Sequence, residues 1–154
     1  MPLDGVTPYP PELAQRYREK GYWQDRPLID HFRDAFARYA SRTAIVAGEQ
    51  RISYRELGAR TDRLALHLLD LGYRPLDRVV MHLPNIPEFL YLYFAFQRLG
   101  AIPLMALPPH RQHEIGHFVD FIEASGYVIP DNWGNFRFPD LALSIRQSSK
   151  TLEH

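Results

Sequence analysis

Apolar residues recur every three or four positions along several stretches of this chain, and short unbroken apolar runs lie between those stretches. That pattern predicts helices alternating with buried strands. Leu28, Phe32, Ala35, Phe36 and Tyr39 share one face, with Asp30, Arg33, Asp34 and Arg38 opposite, so residues 28–39 are expected to form a surface helix. Ser53-Tyr54-Arg55-Glu56 has the spacing of a capping box, in which Ser and Glu satisfy backbone donors that a helix start would otherwise orphan. The stripe Leu57, Leu64, Leu68 and Leu71, joined by Thr61, Ala65 and Leu69, continues that start as a long helix stopping at Gly72. A further long helix begins at Ile86 or Pro87 and ends at Gly100. From Phe89 to Phe96 it is apolar on nearly every face, which requires cover on both sides.

The shorter runs supply strands. Residues 43–46 and 51–53 flank Gly48-Glu49-Gln50, where Gly is available for a positive-φ turn position, and this predicts a hairpin. Residues 78–83, 101–106 and 127–129 read as core strands separated by the helix ending at Gly100 and by a second helix over 112–124. Strands alternating with helices of this length make right-handed βαβ crossovers and a parallel sheet. The expected fold class is therefore α/β, a mostly parallel βαβ layer with flanking helices. Pro8, Pro10 and Pro11 make an extended entry with Pro11 as the first residue of a short helix ending near Gly21. Residues 1–27 are accordingly assigned as an extended and helical lead-in, and 28–154 as the α/β body. After Pro130 the residues Asn132, Gly134, Asn135 and Pro139 mark a loop, and Leu141, Leu143 and Ile145 allow a last short helix. The pattern then stops at His154 without punctuation, and the body reads as a truncated, incomplete subdomain.

Composition narrows the partners. The 18 basic and 18 acidic side chains of the 154 residues cancel, and neither sign forms a block, so nothing argues for nucleic acid or an anionic membrane. All bases but Lys20 and Lys150 are Arg, which leaves two candidates for a catalytic Lys, neither in a recognisable motif. The absence of Cys excludes disulfides, Cys-ligated zinc and a thiol nucleophile. The opening Met1-Pro2-Leu3-Asp4-Gly5 has no basic region followed by an apolar run, so no signal peptide is expected. The longest apolar run, Phe89 to Phe96, is far short of the ~20 residues that span a bilayer. A cytoplasmic protein without membrane contact is expected.

Candidate chemistry is sparse. His113-Glu114-Ile115-Gly116-His117 matches H-E-x-x-H, in which two histidines one helical turn apart hold zinc and the Glu serves as general base. A catalytic site also needs a third ligand, and no H-x-x-G-x-x-H extension follows; Glu123, Asp131 and Asp140 are the candidates by default. Gly116 weakens the helix by about 1 kcal/mol relative to Ala. The structural alternative makes His113 and His117 solvated side chains on an amphipathic helix whose buried face is Ile115, Phe118, Val119 and Ile122, and His110 a residue of the preceding loop. Asn85 reads either as a ligand-facing loop residue at the carboxyl end of a strand or, the reading we expect, as a helix N-cap. The aromatic series Phe89, Tyr91, Tyr93, Phe94 and Phe96 is expected to be helix core, since no basic groove accompanies it as a base-stacking platform requires. The nine glycines are isolated, so neither a Walker loop nor G-x-G-x-x-G occurs, and no G-x-S-x-G elbow is present.

Motif order adds what single residues lack. Thr43-Ala44-Ile45-Val46, Ile52-Ser53-Tyr54-Arg55-Glu56-Leu57, Asp77-Arg78-Val79-Val80 and Leu83-Pro84-Asn85-Ile86-Pro87-Glu88-Phe89 follow one another. Together they resemble the start of an adenylate-forming enzyme. Arg98-Leu99-Gly100-Ala101-Ile102-Pro103, then Ala106-Leu107-Pro108-Pro109-His110-Arg111 with Glu114-Ile115, narrow the resemblance to the stand-alone aryl-acid–AMP ligases of siderophore biosynthesis, the 2,3-dihydroxybenzoate–AMP ligase type. The entry segment Tyr17-Arg18 and Gly21-Tyr22-Trp23 fits the same group.

The resemblance implies an enzyme that activates 2,3-dihydroxybenzoate or salicylate with ATP and Mg²⁺ to an acyl-adenylate. The aryl group then passes to the phosphopantetheine thiol of an aryl carrier protein. In that family the Ser/Thr/Gly-rich phosphate loop, the aromatic-acid pocket, the ribose-binding Asp and the Lys of a mobile C-terminal domain match no position here. No catalytic, cofactor-binding or metal residue is therefore assigned, and neither ATP nor Mg²⁺ is expected to bind this chain alone. The expected partner within the enzyme is the remainder of the adenylation domain, and the isolated chain is expected to be inactive. Two other readings stand beside this one: a non-catalytic interaction module from a severed adenylation domain, and a zinc hydrolase acting through His113, Glu114 and His117.

Overall fold

A computed structural model describes residues 6–154. Six helices and five strands follow in the order α1 (Pro11–Glu19), α2 (Leu28–Arg38), β1 (Thr43–Ala47), β2 (Gln50–Ser53), α3 (Tyr54–Asp70), β3 (Arg78–Met81), α4 (Pro87–Leu99), β4 (Ile102–Met105), α5 (Gln112–Phe121), β5 (Gly126–Val128) and α6 (Phe138–Ser148). The two kinds of sheet are separate. β1 and β2 form an antiparallel hairpin in which Ala47 faces Gln50 across a turn carrying Gly48 at φ 57°. β3, β4 and β5 form a parallel sheet in the order β4-β3-β5, with Val80 facing Leu104 on one side and Tyr127 on the other. The crossover through α5 thus carries the chain past β3 to its opposite edge.

The capping box forms as expected. The Glu56 amide donates to Ser53 Oγ at 3.2 Å, and the Ser53 amide donates to Glu56 Oε2 at 2.8 Å. The bond from the Ser53 amide, with a second from the Ser53 hydroxyl to the same Oε2 at 2.8 Å, holds the Glu56 carboxyl below the usual range. The next long helix starts without a side-chain cap. Asn85 is exposed and the N-cap is Ile86, whose carbonyl accepts the Phe89 amide at 3.0 Å; Pro87 follows at the first helical position. This corrects the expectation for Asn85. Proline has no N–H, so the first orphan donor is already absent, and its fixed φ sets the helix start one residue later than an Asn cap would.

α4 lies between two apolar layers. On its sheet side Ala95, Phe96 and Leu99 join Val79, Met81, Leu83 and Leu68 of α3. On its other side Tyr91 and Phe94 pack with Ile29 of α2 and Ile52 of the hairpin, and the Phe94 ring meets Phe32 and Phe36 edge-on at 4.7 and 5.4 Å. The helix is therefore covered on both faces, as its all-round apolar sequence requires, and each fully buried large side chain contributes roughly 1.5–3 kcal/mol. α5 and α6 cover the other face of the sheet through Ile115, Val119, Leu141 and Ile145, which meet Val80 and Tyr127.

Two close approaches fix the sheet's ends. A Cβ at Gly126 would overlap the Tyr73 ring, so only glycine lets Tyr73 lie across the start of β5. Beside β5, the amides of Glu153 and His154 donate to the Ser125 carbonyl at 2.9 and 3.0 Å, and the Tyr127 amide donates to the His154 carbonyl at 3.1 Å. Leu152-Glu153-His154 thus runs along the outer edge of β5. The lead-in is held mainly by its own aromatics: Trp23 meets Tyr9 at 4.9 Å and Tyr17 at 5.7 Å, and Arg18 binds Asp25 at 2.8 Å.

Candidate functional site

Because β3, β4 and β5 are parallel, their carboxyl ends open on one side, the side on which open α/β sheets bind ligands. Three connections meet there: residues 82–86 after β3, 106–111 after β4 and 129–137 after β5. Backbone bonds carry the ladder one step past the strands. The His82 amide donates to the Val128 carbonyl at 2.8 Å, and the Ala106 amide donates to the Met81 carbonyl at 2.9 Å.

His82 is the polar centre of this end. It has no exposed surface, its Nδ1 lies 2.8 Å from Tyr127 Oη, and the Phe138 ring stands edge-on to it at 5.0 Å. Its Nε2 is buried without a hydrogen-bond partner, although the Pro108 and Leu107 carbonyls lie near enough to favour a protonated ring. Burial outweighs those carbonyls and pulls the His82 pKa down, while burial pushes the Tyr127 phenol up. The pair is therefore neutral at neutral pH and is joined by one hydrogen bond between Tyr127 Oη and His82 Nδ1.

Around this pair the 107–111 turn is tied by short bonds. Arg111 donates from one guanidinium nitrogen to the Pro108 and His110 carbonyls, each at 2.7 Å, and its guanidinium lies 3.8 Å from the centre of the Phe136 ring. The Leu107 amide donates to His110 Nδ1 at 3.1 Å. Phe136 in turn meets Phe138 edge-on at 5.0 Å. The 131–137 loop encloses a polar cleft of about 300 Å³ between Asp131, Asn135 and Arg137. On the other flank Asn85 borders an apolar groove of about 330 Å³ between the hairpin and the start of α4.

The histidine motif does not converge on a metal site. α5 is a helix, so His113 and His117 are one turn apart, but both are exposed, and the buried side of the helix is Ile115 and Val119. Glu114 Oε2 accepts the Arg111 amide at 2.9 Å, and that bond holds its carboxyl below the usual range. It caps the helix and is turned away from acting as a base. The His117 ring stacks on Phe121 at 5.6 Å, and the His110 ring stands against Phe118 at 5.2 Å. Among the described residues no three His, Asp or Glu side chains are grouped to hold a metal ion. Glu123, Asp131 and Asp140 supply no third ligand.

Lys20 and Lys150 are exposed at opposite ends of the chain. His82 and Tyr127 escaped the sequence reading because they lie 45 residues apart and share no motif. Only the strand order, which seats β5 directly against β3, brings them together.

Comparison with known proteins agrees with this architecture. The family model described as AMP-binding enzyme matches residues 32–152. Triostin synthetase I of Streptomyces triostinicus is 50% identical over 93% of this chain and 27% of its own length. The 2,3-dihydroxybenzoate-AMP ligase of Bacillus subtilis is 46% identical over 99% of this chain and 28% of its own length. Among solved structures, apo MbtA of Mycobacterium smegmatis superposes with a TM-score of 0.86 at 39% identity, over 94% of this chain and 26% of that one. The chain thus spans little more than a quarter of the relatives it matches.

Proposed function

Because the chain belongs to the AMP-binding enzyme family, we propose that it forms the amino-terminal α/β segment of an aryl-acid–AMP ligase. The whole enzyme activates 2,3-dihydroxybenzoate, or salicylate, with ATP and Mg²⁺. The acid's carboxylate oxygen attacks the α-phosphorus, pyrophosphate leaves, and the resulting acyl-adenylate carries the good leaving group that the free acid lacks. A carrier-protein thiol then takes the aryl group and releases AMP, which loads the chain-building machinery of siderophore biosynthesis. The observation that carries this reading is the 46% identity to the Bacillus subtilis ligase across essentially the whole of this chain.

Within that enzyme residues 28–154 act as scaffold. The parallel sheet and α4 build one apolar layer, and the three connections at its carboxyl end face the remainder of the adenylation domain. The described part of the lead-in, residues 6–27, packs on its own aromatics. No described side chain is assigned to ATP, Mg²⁺ or the acid, so those groups are held by residues outside this chain, and the chain alone is inactive. No helix of the described residues is long and apolar enough to cross a membrane. We place the enzyme in the cytoplasm, where ATP and carrier proteins meet.

A chimaera tests this reading. With this chain substituted for the matching residues of the Bacillus subtilis ligase, ATP–pyrophosphate exchange dependent on 2,3-dihydroxybenzoate is expected within about tenfold of the parent, a loss of roughly 1.4 kcal/mol or less in transition-state stabilisation. A folded chimaera that exchanges nothing would contradict it.

A further inference from the structure

Helix α3 buries one face and leaves the opposite one without a use in the reading above. Leu57, Thr61, Ala65 and Leu68 turn inward, while Arg63, Leu66, His67 and Asp70 are exposed and, at intervals of three and four residues, share one stripe down the other side. A solvated helix face is ordinarily polar. Here the middle of the stripe is Leu66, 62% exposed, and Leu69 and Leu71 flank its carboxyl end at 40% and 65% exposed. An open apolar centre with a charge on either side of it has the composition of a contact surface, in which an apolar core is ringed by a polar rim.

Both charges on the stripe are free to meet a partner. One helical turn from Arg63 lie only Ala59, Arg60, Leu66 and His67, and the adjacent Asp62 is bound to Arg98 at 3.2 Å. One turn from Asp70 lies Arg74, but a guanidinium nitrogen of Arg74 donates to the Leu69 and Tyr73 carbonyls at 3.1 and 2.8 Å. Among the described residues neither Arg63 nor Asp70 is in an ion pair. Seven residues of helix, about 10.5 Å, separate the two, so they do not meet within one chain. Asp70 is also the last residue of α3, where the negative end of the helix dipole disfavours a carboxylate unless a cation is brought to it.

We propose that this face of α3 pairs with the same face of a second copy of the chain, the two helices lying antiparallel about a twofold axis that passes between Leu66 and His67. Arg63 and Asp70 are equally far from that point along the helix, so Arg63 of each copy meets Asp70 of the other, and the two Leu66 side chains meet at the axis. A parallel pair would set Arg63 against Arg63 and Asp70 against Asp70, so the charges select the antiparallel arrangement. The leucines supply the attraction; the ion pairs, each worth little at a surface, set the register. One helix face is smaller than the interface of a permanent dimer, about 1,600 Å² in all, so the association is weak and depends on concentration. It requires only a folded α3 and does not rest on the ligase reading.

Sedimentation velocity of the 154-residue chain, from about 5 to about 500 µM, should show monomer converting to dimer. Leu66→Asp changes an exposed position, so it should keep the far-UV helical signal and stay monomeric throughout. Arg63→Glu sets like charge against Asp70 and should weaken the dimer by about tenfold or more, and Asp70→Arg should do the same. The two changes together should restore the parent's association, since each ion pair is then reversed and not broken. A parent that stays monomeric over this range would overturn the proposal. So would association that Leu66→Asp leaves intact, which would place the contact on another face, or a double variant no better than either single one. A parent with no helical signal would overturn it as well, because the stripe exists only on a folded α3.

Discussion

Phe96 of α4 and His82, the residue after β3, are both fully buried, and they predict different kinds of experiment. Phe96 fills the space between α4 and β3, so Phe96→Ala should lower the unfolding free energy in urea by roughly 3–5 kcal/mol, the usual consequence of deleting a large buried ring. His82 predicts a pH dependence. Its folded pKa lies below its unfolded one, so the unfolded chain takes up the proton first. The stability this neutral burial allows is complete above about pH 6.5 and is lost as the pH falls from there toward the folded value. Urea midpoints measured across that interval should fall with acid in the parent and fall less in His82→Asn. His113 is the counter-case. An exposed side chain with no partner should leave stability within about 0.5 kcal/mol when replaced by Ala, and added zinc should not raise the melting temperature. A zinc-dependent rise abolished by His113→Ala would restore the metal reading.

At the level of elements, most of the fold was legible because each element carries its own local signal. Ser53 and Glu56 announce α3 by spacing alone, and their reciprocal bonds form as written. Ser53→Ala should therefore cost about 1 kcal/mol in urea unfolding, with the far-UV signal of α3 retained at its centre. Gly100, at φ 86°, ends α4 where the periodicity stops. What failed or went unseen depended on information outside the local window. Asn85 has the side chain of a cap, but Pro87 two residues later removes the donor that a cap would serve and moves the start to Ile86. Strand identity followed from runs of apolar residues. The order β4-β3-β5 did not, since a crossover of this length can place β5 beside either neighbour. The His82–Tyr127 pair depends on that order, and no spacing rule could have found it. The hydrogen bonds at the edge of β5 are of the same kind, made by residues 27 to 29 positions apart in the chain.

At the scale of the whole molecule, α3 and α4 cover one face of the sheet and α5 and α6 the other. Family membership rests on residues 32–152, and the matched relatives are about three to four times longer than this chain. The sequence motifs pointed to that family because they are the turns and caps that build this layer. They could not point to a catalytic side chain, because the motifs that supply those in the family match nothing here. The most direct measurement is ATP–pyrophosphate exchange with 2,3-dihydroxybenzoate and with salicylate, run on the 154-residue chain alone and beside the chimaera. Silence from the chain with exchange by the chimaera is the predicted result, and it would establish this segment as scaffold of an aryl-acid–AMP ligase. Acid-dependent exchange by the chain alone would contradict it, because it would require a nucleotide site among residues in which we assign none.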